Sequence, residues 1–434
     1  MSTADQKETK DEQVNDEDLA DYEDDDVEQE VSEKPKAKKG TYAGIHATGF
    51  KDFVLKAEIL QALSDCSFES PSQVQQVCIP QAIQGHDVIC QEKAGMGKTA
   101  IFVLSTLHLI RPEKDENGKN IIDTLALVPA RELAHQINKE FKRFGVYMEG
   151  IESEEIYGGT SIREHRTLFK EKPPHIVAGT PGRVKALVKE GSMKIDKLKR
   201  FILDECDRLL AETDMRAQVQ EIFMEAPYEK QVMMFSATIS KDVLPVCRKM
   251  CTNPQEFLVE AENKLTLRSL SQYYVKLDEK EKNRKLTDLL DKLKWNQVVI
   301  FVNSTRRCKD LNMLLNEVNF PSMAMMGAMK QTERIDLYNK FKRGDKRLLV
   351  STDVFARGVD FAGVDLVINY DMPESDDTYL HRVGRSGRYD TKGTAITFLS
   401  SETDSEVHAK IQSRFEVAVN ELPDELDMSA YVSI

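Results

Sequence analysis

The sequence lacks two patterns that would place it quickly in a class: paired cysteines and a long hydrophobic run. Its seven cysteines are scattered and form no C-x-x-C pair, which argues against a structural zinc site. Cys247 and Cys251 are one helical turn apart, but no further ligand residue is near them in the sequence. Because the count is odd and no signal peptide is recognisable, we expect reduced thiols in the cytosol or nucleus. No apolar run reaches the roughly 18 residues of a membrane helix, so we expect no membrane partner.

An excess of basic residues, common in nucleic-acid-binding proteins, is also missing, since the formal net charge is −13. The acidity is concentrated: residues 1–33 contain 15 Asp or Glu and 2 Lys, and the rest of the chain is neutral overall. The body is therefore free to carry a basic groove. Composition predicts that residues 1–44 form a disordered acidic tail. Within it, "LADYEDDD" (19–26) is either solubilising or a motif that orders on a basic partner, and "KPKAKK" (34–39) is a nuclear-import patch or a charged linker.

From about residue 45 short apolar segments alternate with helical segments, a pattern that predicts an α/β fold with a parallel sheet. The pattern breaks in the polar stretch 259–272 and then resumes. We therefore predict domains at 45–258 and 272–434 with a linker at 259–271. Ligands bind such sheets at the carboxyl ends of the strands, so functional residues should follow the apolar runs directly. The predicted strands are "DVICQ", "TLALVP", "HIVAGT", "RFILDE", "QVMMFSAT", "QVVIFVNS", "SMAMMG", "RLLVST", "LVINYD" and "AITFLS".

The segment "CQEKAGMGKTA" (90–100) follows the first of these strands and precedes an apolar helix. Glycines at 95 and 97 allow backbone N–H groups to surround phosphates. Lys98 can reach the β and γ phosphates of a nucleotide, and Thr99 can ligate Mg²⁺. A short G-K-T sequence also occurs by chance, but the strand before it and the helix after it favour a phosphate loop. The candidate nucleotide-binding residues here are Gly95, Met96, Gly97, Lys98 and Thr99.

The segment "ILDECD" (202–207) leads from an apolar run directly into carboxylates. One interpretation is a buried strand followed by a solvated helix. The other is a second acidic site at a strand end, in which Asp204 holds Mg²⁺ and Glu205 polarises the attacking water. The phosphate loop favours the second interpretation, because nucleotide hydrolysis needs a metal and a base beside the phosphates. Thr99 and Asp204 are therefore the candidate metal ligands.

Taken together, the motifs of the chain resemble those of the DEAD-box RNA helicases, in the variant that carries DECD. The resemblance covers about residues 41–434 and keeps the order of the family. It implies two tandem RecA-like domains of parallel sheet, with ATP and Mg²⁺ bound between them. The motifs that carry it are "SFESPSQVQ" (67–75), "PARELA" (129–134), "GG" (158–159), "TPGR" (180–183), "DECD" (204–207), "SAT" (236–238), "IFVNS" (300–304), "QTER" (331–334), "STDVFARGVD" (351–360) and "HRVGRSGR" (381–388).

The resemblance also implies roles for individual positions. Phe50 and Gln75 would recognise the adenine, and Asp360 would line the nucleotide cleft. Ser236 and Thr238 would couple hydrolysis to strand separation. Arg385 and Arg388 would stabilise the γ-phosphate as arginine fingers, which are worth roughly 10³–10⁵ in rate. The implied RNA contacts, mostly to phosphate and 2′-OH groups, are Arg131, Gly159, Thr180, Gly182, Arg183, Gln331, Arg334 and Thr352.

As a function, the resemblance implies an RNA-stimulated ATPase that separates short duplexes or remodels ribonucleoproteins. The DECD subgroup serves mRNA splicing and nuclear export. It thereby implies a nuclear location and partners among splicing and transcription-export (TREX) factors. The RNA would be single-stranded or a short duplex, bound with little sequence preference.

Several positions depart from the family pattern. Glu92 stands where the phosphate loop usually has a small residue, and its carboxylate could repel phosphate or point away from it. "MMGAM" (325–329) replaces a His-x-Gly turn, so the sequence leaves open whether residues near Met326 contact RNA. Ala130 replaces a threonine, and Cys206 is interpreted as a small packed residue. Two other functions remain open on the sequence: an RNA-dependent scaffold that binds nucleotide without turnover, and a DNA helicase.

Overall fold

A computed structural model describes residues 49–68, 70–92, 95–258, 270–353, 363–386, 393–415 and 419–423. The predicted acidic tail with its segment "KPKAKK", most of the predicted linker, and the candidate residues Asp360 and Arg388 lie outside these ranges. All seven cysteines lie within them and are free thiols. Among the described helices, none combines the length and the apolar character needed to cross a membrane.

The first lobe is built on a sheet that, within the described residues, has seven parallel strands in the order β3-β4-β2-β5-β6-β1-β7. Sequence-adjacent residues of a strand enter different cores. Ile202 packs on one face, whereas Phe201 and Leu203 pack on the other. This burial on both faces explains why the central strands read as continuous apolar runs. The strands are β1 (Val88–Gln91), β2 (Thr124–Leu127), β3 (Ser153–Ile156), β4 (Ile176–Gly179), β5 (Arg200–Asp204), β6 (Gln231–Ser236) and β7 (Gln255–Leu258).

Helices cover both faces of this sheet. A short 3₁₀ helix at Phe50–Phe53 and the helices α1 to α4 contribute to one core, and α5 to α9 contribute to the other. The helices are α1 (Ala57–Asp65), α2 (Gln73–Ala82), α3 (Lys98–Leu109), α4 (Arg131–Phe144), α5 (Ile162–Glu171), α6 (Pro181–Lys189), α7 (Cys206–Ala211), α8 (Thr213–Glu225) and α9 (Val243–Met250).

The second lobe repeats this plan, with seven described parallel strands in the order β10-β11-β9-β12-β13-β8-β14. Val298 and Ile300 enter one core, and Val299 and Phe301 enter the opposite core. The strands are β8 (Leu270–Lys276), β9 (Gln297–Phe301), β10 (Ser322–Met325), β11 (Leu348–Ser351), β12 (Val364–Asn369), β13 (Gly393–Leu399) and β14 (Asn420–Glu421). The helices are α10 (Lys282–Lys292), α11 (Thr305–Glu317), α12 (Gln331–Lys342), α13 (Asp376–Val383) and α14 (Glu402–Phe415).

The predicted fold class is confirmed, and each of the ten predicted strands is present. Four further strands were not predicted. β3, β7 and β14 lie at sheet edges and carry glutamates, because an edge strand faces solvent and needs no apolar run. β8 lies beside an edge and is largely half-buried. It begins at Leu270, so the last two residues of the predicted linker belong to a strand.

Candidate nucleotide and RNA site

The phosphate loop follows β1 and ends where α3 begins at Lys98. Gly95 and Gly97 have φ angles of 83° and 78°, a left-handed conformation that glycine adopts without strain. A Cβ at Gly97 would also clash with the side chain of Gln75, whose Nε2 donates to the Gly97 carbonyl at 3.0 Å. The backbone conformation therefore favours glycine at position 97, and a larger residue there would also displace the Gln75 side chain.

Gln75 joins the start of α2 to this loop. Ser72 caps α2 through a capping box: Gln75 Oε1 accepts from the Ser72 amide at 2.9 Å, and Ser72 Oγ accepts from the Gln75 amide at 3.5 Å. The same hydroxyl donates to the carbonyl of Met96 at 2.8 Å. Such a box satisfies the amides at the start of a helix. Here it also fixes two loop residues, Met96 and Gly97, against the helix that would read the adenine.

Phe50, the expected adenine-stacking residue, is buried. Its ring centroid lies 5.7 Å from that of Phe53 and 5.4 Å from that of Phe68. Phe50 and Phe68 line a cleft of about 430 Å³ on the surface of the first lobe. The aromatic cluster anchors the start of the described chain to the core, and adenine stacking by Phe50 stays a prediction.

Lys98 is buried, and its Nζ donates to the backbone carbonyl of Glu92. The Glu92 amide in turn donates to the Ser236 carbonyl at 3.1 Å, which extends the β1–β6 pairing by one residue. Thr99 follows Lys98 in the first turn of α3 and is half-buried. The lysine and the threonine thus sit at the loop, at the carboxyl end of β1.

Asp204 ends β5, and Glu205 caps α7 with φ 53° and ψ 48°. A left-handed glutamate is uncommon, and such strain persists mainly where the surroundings or function require it. The Glu205 amide donates to Asp204 Oδ1 at 3.1 Å. Burial, and then the neighbouring Glu205 carboxylate, raise the pKa of Asp204 to about 7, while Lys98 opposes the shift. A divalent cation would relieve this repulsion, so the donor set fits Mg²⁺ held by Asp204 and Thr99.

Ser236 ends β6, which lies between β1 and β5 in the sheet. Its Oγ donates to the Thr238 carbonyl at 2.9 Å, and Thr238 Oγ1 donates to Asp207 Oδ2 at 2.8 Å. On the other side of Asp207, His381 Nε2 of α13 lies 3.7 Å from the same oxygen. The strand end next to the phosphate loop is thereby connected to the second lobe.

The arginines of "HRVGRSGR" have different environments. Arg385 is buried, and its Nε donates to the His381 carbonyl at 3.0 Å. Arg382, which was given no role, pairs with Asp353 at 2.5 Å and donates to Asn303 Oδ1 at 2.8 Å. Arg382 therefore braces its own lobe, whereas Arg385 lies directly after the helix that faces the first lobe.

The candidate RNA contacts of the first lobe follow β2, β3 and β4, which are neighbours in the sheet on the opposite side of β5 from β6 and β1. They lie at the carboxyl ends of these strands, as the nucleotide candidates do. Gly159 has φ 88°, and a Cβ there would clash with the guanidinium of Arg131 at the start of α4. Arg183 donates to the Thr160 carbonyl at 2.9 Å. Burial, and then the nearby Arg131, lower its pKa. Thr180 precedes Pro181, the first residue of α6, and Gly182 lies in its first turn.

The candidates of the second lobe lie against the first lobe. Arg334 Nη2 pairs with Glu132 Oε1 at 2.7 Å, and Gln331 Nε2 donates to the same oxygen at 3.1 Å. Arg131 Nη1 donates to Gln331 Oε1 at 3.4 Å. These contacts join α4 to α12 in buried surroundings. The RNA roles of Gln331 and Arg334 stay predictions, and their observed partners are residues of α4.

Two departures from the family pattern have structural descriptions. Met326, in the "MMGAM" turn, is buried in the core of the second lobe, and the Thr352 amide donates to the Met325 carbonyl at 3.3 Å. Cys206 is fully buried. The hydrogen-bonded thiol of Cys247, and then burial, raise the pKa of Cys206, so this residue packs as expected and is a poor nucleophile.

Sequence reasoning missed three residues of the site: Glu132, Asp207 and His381. Each stands inside a motif that was recognised, but none received a role. The sequence did contain a signal for each of them: a titratable residue inside a motif that also contains a residue with an assigned role. Their partners lie far away in the sequence, and only the fold brings them together.

Comparisons with known proteins agree with this geometry. The DEAD/DEAH box helicase model matches residues 72–246, and the helicase conserved C-terminal domain matches residues 281–390. The chain is 55% identical over 398 residues to the ATP-dependent RNA helicase uap56 of Schizosaccharomyces pombe, covering 91% of each chain. It is 54% identical over 406 residues to the ATP-dependent RNA helicase SUB2 of Lodderomyces elongisporus, covering 93% of each.

Among solved structures, S. cerevisiae Dbp5 bound to RNA and ADP BeF3 is similar, with a TM-score of 0.80 and 28% identity. The match covers 88% of this chain and 97% of that chain. Fold, site and relatives define a helicase with two RecA-like lobes. The chain belongs to the DEAD-box family of ATP-dependent RNA helicases.

Proposed function

We propose that the chain couples ATP hydrolysis to the remodelling of RNA through two clusters of residues, a nucleotide cluster and an RNA cluster. Both clusters lie at the carboxyl ends of the strands of the first sheet. The observation that carries the proposal is their arrangement. Nucleotide candidates end β1, β6 and β5, whereas RNA candidates follow β2, β4 and β3. Each cluster also touches the second lobe, through Asp207–His381 and through Glu132–Arg334. Closure of the lobes would therefore act on both clusters together.

In the nucleotide cluster, the loop from Gly95 to Thr99 holds the phosphates and Lys98 neutralises their charge. Mg²⁺, when bound, would neutralise charge on the β- and γ-phosphate oxygens. Glu205 orients the attacking water and accepts its proton. The remaining roles follow the family pattern: Phe50 and Gln75 at the adenine, Asp204 and Thr99 at the metal, Asp360, Arg385 and Arg388 in the cleft, and Ser236 and Thr238 in coupling.

In the RNA cluster, arginine side chains and helix N-termini contact phosphates and 2′-OH groups, which gives binding with little sequence preference. The proposed contacts are Arg131, Gly159, Thr180, Gly182, Arg183, Gln331, Arg334 and Thr352. Binding of RNA and ATP together would draw the lobes together and bend the strand, so that a short duplex separates locally.

The test is release of a labelled strand from a short RNA duplex by the full-length chain with ATP and Mg²⁺. We expect release that requires ATP and is lost in Lys98→Ala. Strand release from the RNA duplex by the Lys98→Ala variant would contradict the proposal, and so would the absence of strand release by the unaltered chain. A DNA duplex of the same sequence separates an RNA helicase from a DNA helicase.

We further propose that the chain acts in mRNA splicing and nuclear export, is nuclear, and works with factors of the transcription-export type. The support is the DECD variant together with the high identity to uap56 and SUB2 over most of the chain. In source cells depleted of this protein, introns should be retained in mRNA and polyadenylated RNA should accumulate in the nucleus. Normal splicing and export after depletion would contradict this assignment. We also propose 45–258 and 272–434 as the two domains, although β8 of the second lobe begins two residues before the second bound, at Leu270.

A further inference from the structure

Three side chains from the two lobes converge on one buried point beside the nucleotide cluster. Glu205 and Asp207 come from the first lobe, and His381 comes from α13 of the second lobe. Each offers one ligand atom, and these atoms lie within 4.8 Å of one another. The residues are 7%, 9% and 1% exposed, respectively. Among the described residues, these three form a group that could hold a metal ion. We call this group the interlobe triad.

Two atoms of the triad lack hydrogen bonds that their burial requires. Glu205 Oε2 and His381 Nε2 are buried and have no hydrogen-bond partner among the described residues. A buried polar atom without a partner loses the hydrogen bonds that it would make with water, so such atoms call for an explanation. The Thr238 hydroxyl fixes the orientation of Asp207 at 2.8 Å. The left-handed backbone of Glu205 fixes the base of its side chain.

The donor set of the triad identifies the class of ion. Mg²⁺ prefers oxygen ligands and keeps its water, whereas an imidazole beside carboxylates suits a transition metal such as zinc. Zinc bonds to His and carboxylate ligands of about 2.0–2.2 Å place the ligand atoms roughly 3.4 Å apart in a tetrahedron. The Asp207–His381 distance of 3.7 Å needs only a small contraction to reach that value. We propose that the interlobe triad is a binding site for Zn²⁺, with water as the fourth ligand.

Zinc in this position would act as an inhibitory clamp, a consequence that rests on the proposed function. It would occupy the Glu205 carboxylate, which is assigned to the attacking water. It would also tie His381 of the second lobe to two residues of the first. Because release of products requires the lobes to separate, the bound ion would slow turnover as well as hydrolysis itself.

Binding is tested on the full-length chain with Co²⁺ as a spectroscopic substitute and Zn²⁺ as competitor. We expect one tight Co²⁺ per chain, displaced by Zn²⁺, without the sulfur-to-metal absorption that a cysteine ligand would give. His381→Gln and, independently, Asp207→Asn should weaken binding by about 10-fold or more. The matched control is His408→Gln, since His408 is a buried histidine of the same lobe that packs on Tyr274. That control should bind as the unaltered chain does.

The results separate the two proposals. Equal Co²⁺ affinity in His381→Gln and the unaltered chain, or a sulfur-to-metal band, would overturn the triad as a zinc site. In that case Asp207 and His381 are only neighbouring side chains at the contact between the lobes. Cobalt binding that depends on the triad in a chain without ATPase activity would instead overturn the proposed function alone. When both hold, micromolar Zn²⁺ should inhibit RNA-stimulated hydrolysis in the presence of excess Mg²⁺.

Discussion

Arg334 of the second lobe pairs with Glu132 of the first lobe at 2.7 Å, and both side chains are buried. Removing one partner of a buried pair typically destabilises by about 3–5 kcal/mol, because it leaves an uncompensated charge. Here that charge lies at the contact between α4 and α12. The pair therefore makes closure of the lobes sensitive to single substitutions at either residue.

Glu132→Gln should reduce RNA-stimulated ATPase activity by about 100-fold or more, if the lost free energy falls on lobe closure. In denaturant titrations, the double variant Glu132→Gln with Arg334→Gln should recover part of the free energy of unfolding that Glu132→Gln loses, because it removes both charges. Lys139→Ala, which deletes an exposed contact to Asn339 at 2.7 Å, serves as the control and should have a small effect. A double variant that is less stable than Glu132→Gln would contradict the account.

Asp204 predicts how stability depends on pH. Its pKa is raised from 3.8 to about 7, so the folded chain binds the proton more tightly than the unfolded chain. The free energy of unfolding then falls as pH rises from about 4 to 7. Asp204→Asn should therefore be more stable than the unaltered chain at pH 8 in the absence of Mg²⁺, with little difference near pH 4. Denaturant titrations at the two pH values measure this, and equal stability at pH 8 would contradict it.

Glu92 predicts an effect on ATP affinity. A carboxylate beside the loop repels phosphate, whereas the backbone carbonyl that receives Lys98 is kept in any variant. Glu92→Ala should lower the KM for ATP about threefold to tenfold and leave kcat nearly unchanged. Glu92→Gln keeps the size of the side chain and should act in the same direction. Steady-state kinetics at low salt give the comparison, and a higher KM in both variants would show that the carboxylate supports the loop instead.

Gly159 predicts a defect confined to RNA. A Cβ at this position would displace the Arg131 guanidinium, which would also break its contact with Gln331. Gly159→Ala should raise the RNA concentration needed for half-maximal ATPase by about tenfold, with the KM for ATP little changed. Gly191→Ala is the matched control, since Gly191 also has a positive φ of 73° but open space around it. Equal RNA dependence in the two variants would remove the steric argument.

The sequence predicted the interior of both sheets better than their edges. Central strands such as β5 are apolar on both faces and can be read directly. β3, with the sequence "SEEI", satisfies its edge position without an apolar pattern. Within the site, the motifs predicted that Asp204, Glu205 and Lys98 lie near strand ends, and the structure places Asp204 at the end of β5, Glu205 next to it and Lys98 at the start of α3. The contacts of Glu132 with Arg334 and of Asp207 with His381 could not be predicted in the same way, since Arg334 and His381 belong to the other lobe and the contacts depend on tertiary packing.

The central claim is that RNA stimulates ATP hydrolysis by this chain and that Glu205 is required for the hydrolysis. It is tested by measuring ATP hydrolysis with and without single-stranded RNA. Glu212→Gln is the matched control, because Glu212 is an exposed carboxylate just after α7 that pairs with Arg208 at 3.4 Å. We predict strong RNA stimulation in the unaltered chain and in Glu212→Gln, and background hydrolysis in Glu205→Gln. Hydrolysis in Glu205→Gln at the rate of the unaltered chain, or a rate that RNA does not change, would contradict the account.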